Sequence, residues 1–122
     1  MPQVAASTDT LSSAGLTVGT TPVRPYIVTA IKIANYSAAI GELVRVNPTA
    51  GGFWVELPTA VGNDGNGVTI KNVLGSANVV PYNTVGGQTI DGAASGADSM
   101  AAGYDAVTFV SDGANWMRFP KV

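Results

Sequence analysis

At 122 residues the chain has the length of one domain. Apolar residues make up 46% and charged residues 11%, against about 25% charged in ordinary soluble domains, so charge alone cannot furnish its surface, and burial against copies of itself or a partner is expected. The six basic residues, Arg24, Lys32, Arg45, Lys71, Arg118 and Lys121, are scattered and the formal net charge is −2, which excludes a basic stripe for nucleic acid.

Residues 1–25 are rich in Ser, Thr, Ala, Gly and Pro, with few large apolar side chains. This composition predicts an extended or flexible N-terminal arm, whose Leu11, Leu16 and Val18 are candidate contacts to another subunit or surface. Pro22 and Pro25 bias their neighbours toward extended geometry. From Tyr26 the pattern has period two. In YIVTAIKIA (26–34), Ile27, Thr29, Ile31 and Ile33 share one face and Tyr26, Val28, Ala30 and Lys32 the other. Both faces are mostly apolar, so this strand is expected to be covered on both sides or to lie between subunits, with Ile27, Ile31 and Ile33 as its candidate contacts.

ELVRV (42–46) and FWVEL (53–57) read as strands joined by the turn-forming NPTAGG, which predicts a hairpin that Pro58 ends. VTIKNV (68–73), ANVVPY (77–82), QTIDG (88–92), AVTFVS (106–111) and NWMRF (115–119) follow, separated by Gly and Asx turns. Residues 92–104 read as a loop. In the last hairpin Val107, Phe109 and Ser111 share a face, Trp116 and Arg118 alternate with Met117 and Phe119, and Asp112-Gly113 supplies the turn. Pro120 lacks a ladder donor just past the final strand. Short strands at regular spacing, with no amphipathic helix, predict an all-β fold: a small antiparallel β-sandwich or barrel-like domain over 26–122.

Without histidine, and without a Ser-x-x-Lys pair, serine-type triads are excluded, and without cysteine so are disulfides, thiolate metal sites and thiol nucleophiles. Eight carboxylates remain, enough for a two-carboxylate glycosidase, but Asp64, Asp91 and Asp112 each precede glycine, where an Asx turn explains them. Asp64 and Asn66 are spaced like the first ligands of a calcium loop, yet no closing glutamate follows. No catalytic, cofactor or metal site is expected. No apolar run reaches the ~20 residues of a membrane span, and residues 1–15 lack a charged start and apolar core, so cytoplasmic synthesis is expected. Aromatic residues on strands belong by preference to a core or a subunit contact; exposed, Trp54 and Trp116 would be candidates for stacking on a glycan.

From residue 36 onward, NYSAAIGELVRVNPTAGGFWVELPTA, GNGVTIKN, GGQTIDG and YDAVTFVSDGANW resemble, in that order, a β-rich module of tailed-bacteriophage virion proteins. The module recurs in tail fibres and in small capsid decoration (cement) proteins. The resemblance covers about 80 residues and rests on pattern more than on a unique signature. It implies a non-enzymatic structural protein with no carried-over active site. A free module of this size implies a decoration subunit on the outer surface of the head, bound to the major capsid protein and to itself, commonly as a trimer. The alternative it implies is a tail or head-fibre component that binds a host-surface glycan.

Overall fold

A computed structural model describes residues 10–12, 15–18, 21–22 and 26–121, with side chains from Tyr26 onward. Thr10–Ser12 (β1), Gly15–Val18 (β2) and Thr21–Pro22 (β3) form a three-stranded antiparallel sheet in which Leu11 lies opposite Leu16 and Val18 opposite Thr21. Threonine, leucine and valine suit this pairing. The arm expected over 1–25 is therefore, where described, a meander that doubles back on itself. The side chains of Leu11, Leu16 and Val18 lie outside the described residues.

From Ile27 the chain alternates between two sheets. Ile27–Val28 (β4), Glu42–Val46 (β6) and Gly67–Asn72 (β8) belong to one sheet. Tyr36–Ser37 (β5), Val55–Glu56 (β7) and Val80–Asn83 (β9) belong to the other. Within each sheet these three strands are parallel neighbours. The chain thus winds through three stacked coils, 27–37, 42–56 and 67–83. Parallel strands need a long crossover, usually a helix; here the strand in the opposite sheet supplies it.

The remaining strands are antiparallel. Ser99–Met100 (β10) pairs with β9, completing the four-stranded sheet β10-β9-β7-β5. Ala106–Ser111 (β11) pairs with β8, and Trp116–Phe119 (β12) pairs with β11, completing the five-stranded sheet β12-β11-β8-β6-β4. The fold is all-β, with no helix among the described residues, but both sheets are mixed rather than antiparallel and no barrel closes.

The expected hairpin between ELVRV and FWVEL does not form, because β6 and β7 lie in different sheets. Alternation shows which face of a strand is buried, not which strand is its neighbour. The intervening residues are numerous enough to cross the ~10 Å between packed sheets. QTIDG is likewise no strand: only Ile90 makes ladder pairs, with Ala93 and Trp116.

Side chains from both sheets meet in one apolar cluster. Val44, Ile70 and Val107 form a row across β6, β8 and β11. Val55 and Tyr82 do the same across β7 and β9, and the Tyr82 ring meets Phe109 of the other sheet edge-on, with centroids 4.9 Å apart. Burying side chains of this size stabilises by about 1.5–3 kcal/mol each. Gly67 lies so near β11 that a Cβ there would sit 2.6 Å from the Phe109 carbonyl oxygen. Gly113 takes φ +96° in the closing turn, a conformation that glycine adopts without steric cost.

Candidate interaction surface

The two ends of the coil stack are built differently. At the last strand, Trp116 is 1% exposed and its Nε1 donates to the Pro58 carbonyl at 3.2 Å. The backbone of Thr89–Asp91 closes over β12: Trp116 N donates to Thr89 O at 2.9 Å and Asp91 N to Trp116 O at 3.0 Å. Ser111 Oγ donates to Ala60 O at 2.6 Å and Gln88 Oε1 accepts from Ala60 N at 2.8 Å, fastening the 58–60 segment to the same corner. Trp116 therefore offers no ring face to a sugar, which removes it from the glycan-stacking candidates. Trp54 is half-buried, with its amide donating to Asn35 Oδ1 at 3.0 Å.

Arg118, on the core-facing side of β12 with Trp116, is also turned inward. Its Nη1 meets Asp98 Oδ2 at 2.5 Å, its Nε donates to Pro120 O at 3.0 Å, and its guanidinium carbon lies 5.6 Å from the centre of the Tyr82 ring. The Tyr82 hydroxyl is buried without a hydrogen-bond partner among the described residues, and burial raises its pKa. The alternation in NWMRF places Arg118 on the same face as Trp116, which the structure buries, but nothing in the sequence names Asp98 as its partner. In the closing turn, Asp112 Oδ1 accepts from Asn115 N at 2.8 Å and Ala114 N at 2.9 Å. These donors hold its carboxyl below the usual carboxylate range.

The first coil is different. Ile27, Thr29, Ile31 and Ile33 do not share a buried face. Val28 pairs with Leu43 and Lys32 with Val46, so the first coil holds one residue more than the second between these pairs. That extra residue is a bulge. Thr29 is buried there; its Oγ1 accepts from Arg45 N at 3.2 Å, and its carbonyl accepts from Arg45 Nε at 2.8 Å. Ile27 is left 64% exposed and Ile33 70% exposed, with Tyr26, Val28 and Ile31 also open. Half of the ten exposed large apolar side chains among the described residues thus fall within 26–33.

Polar groups fasten this coil to the next without covering its outer edge. The Lys32 ammonium lies 4.1 Å from the centre of the Tyr36 ring, and the Tyr36 hydroxyl donates to the Glu42 carboxylate at 2.9 Å. Burial first, then that hydrogen bond and the Glu42 charge, raise the Tyr36 pKa. Glu42 also accepts from Ala39 N, and Glu56 from Ser37 Oγ. These carboxylates, like Asp98 and Asp112, are engaged in local structure. Among the described residues no group of three or more His, Cys, Asp or Glu side chains is placed to hold a metal ion.

The surface that stands out among the described residues is therefore the apolar edge of the first coil. No protein-family model matches the chain, and no curated protein sequence matches it.

Proposed function

We propose that this chain is a structural subunit of a bacteriophage virion, a capsid decoration protein whose sandwich-like β domain binds the outer surface of the head and stabilises its lattice. Its partners on this reading are the major capsid protein and other copies of itself, and its place is the virion surface after synthesis in the host cytoplasm. The observation that carries the reading is the uncovered apolar first coil, Tyr26 to Ile33, on a chain with 11% charged residues: a surface suited to burial in an assembly. The motif order from residue 36 supplies the virion context. Of the two tryptophans of the glycan alternative, Trp116 is in the core, so the decoration reading is preferred.

Residues 1–24 serve, in this proposal, to reach across neighbouring capsid subunits, adding contacts at high effective concentration once the β domain is seated. Capsids are incubated with the full chain or with a variant lacking residues 1–24, and bound protein is measured after sedimentation. Retention of the full chain and loss of the shortened one, with the shortened chain still folded by circular dichroism, is the expected result. No binding by the full chain contradicts the decoration reading, and equal occupancy contradicts the role of the arm alone.

A further inference from the structure

The coil stack has one finished end and one unfinished end. Stacked repeats bury their core only between neighbours, so a terminal repeat needs a polar cap. At the β12 end the five-stranded sheet has its own, through the 89–91 segment and Pro120, and the four-stranded sheet ends on the two-residue β10. At the β4 end, β4 is the edge of one sheet and β5 the edge of the other. The amides of Ile27, Thr29, Lys32, Tyr36 and Ala38 donate inward to the second coil. In a parallel ladder the intervening backbone groups point the opposite way, here out of the stack. Between residues 26 and 41 Lys32 is the one charged residue, and it folds over Tyr36 instead of guarding the edge as edge lysines do.

We propose that this open coil is a homodimer interface: a second copy docks edge to edge on a two-fold axis, pairing β4 antiparallel with its counterpart and β5 with its counterpart. A second copy fits because it presents two strand edges at the same separation, so one rotation continues both sheets together. It also buries Ile27, Val28, Ile31 and Ile33 against the same residues of the other copy, the self-complementarity that a two-fold contact requires. Because a two-fold contact uses the same edge on both copies, that edge is consumed on pairing and association stops at two. The interface does not depend on the capsid reading, and it sets a two-fold symmetry against the three-fold that the family resemblance implies.

Light scattering on the full chain over a dilution series tests it. Twice the chain mass, falling to the single mass on dilution, is expected; a single mass at every concentration, or a trimer, overturns the pairing without touching capsid binding. Val28→Lys should weaken association at least tenfold while the thermal transition of the dilute protein stays in place, and Ile33→Lys repeats the test should the first variant fail to fold. Unchanged association in a folded variant overturns the proposal. Since the chain has no cysteine, Val28→Cys should give a disulfide-linked dimer on mild oxidation faster than Val61→Cys, an exposed position outside the first coil. Equal rates count against the two-fold register.

Discussion

The finished and unfinished ends of the coil stack are made of similar residues in different surroundings. At the finished end an aromatic, Trp116, and a cation, Arg118, are drawn inward, and the chain's own backbone covers them. At the unfinished end an aromatic, Tyr26, and four β-branched residues, Ile27, Val28, Ile31 and Ile33, are turned outward. The contrast shows that apolar content alone does not decide burial. A covering segment lies within reach of β12, whereas the described residues leave β4 as a sheet edge.

The difference becomes sharpest on truncation. Trp116→Ala removes a side chain that is 1% exposed and should cost about 3–5 kcal/mol, enough to unfold a marginal domain; urea titration reads it directly. Arg118→Met leaves the Asp98 carboxylate, itself 23% exposed, without its ion partner, and breaking this part-buried pair should cost less than the ~3–5 kcal/mol of a fully buried one. Arg118→Met combined with Asp98→Leu should recover most of that loss in the same titration. If the double variant is no better than the single, the inward cation is not the source of the cost.

At the open end the same kind of truncation should do little to the monomer. Ile33→Ser changes a side chain that is 70% exposed, and the dilute-protein midpoint should move by no more than ~0.5 kcal/mol. A large loss there would mean that residues 26–33 already stabilise the isolated domain, erasing the distinction between the two ends.

The smallest effects are in the pH dependence. Asp112 has its carboxyl lowered by the Asn115 and Ala114 amides. Its contribution is therefore present above the unfolded carboxylate pKa and lost as pH falls through the lower folded value. Asp112→Ala should flatten that part of the acid limb of the stability curve. Tyr36 is raised, chiefly by burial; the fold favours its neutral phenol, so its contribution is present below about pH 10, the unfolded tyrosine value, and lost as pH rises through the folded one. Tyr36→Phe should remove that alkaline loss, which a stability curve from pH 8 to 12 checks.

How much of this was legible in the sequence depends on the range of the interaction. The closing hairpin was: alternation set Val107, Phe109 and Ser111 on one face of β11 and Trp116 and Arg118 on one face of β12, the structure buries those faces, and Asp112-Gly113 turns the chain as its chemistry requires. The coil topology was not. Parallel stacking of β4, β6 and β8 is set by which strands meet after each crossing between sheets, and period-two patterning is the same for parallel, antiparallel and opposed strands. The bulge at Thr29 was hidden for a related reason, since one extra residue in YIVTAIKIA is visible only against the register of β6. Of the candidate contacts, Ile27, Ile31 and Ile33 are the exposed residues of one edge, although the regular alternation that suggested them is broken between Val28 and Lys32. Asp98 could not have been singled out, because its role comes from the fold bringing Ser99–Met100 alongside β9 and Asp98 against Arg118.

Amide hydrogen exchange at two protein concentrations tests the contrast between the ends most directly. The account predicts that the amides of Val28 and Ser37, which lie between the inward-donating amides of the first coil, exchange quickly in dilute protein and slow markedly in concentrated protein, while those of β8, β11 and β12 stay protected and unchanged in both. Equal, concentration-independent protection at the two ends would contradict it.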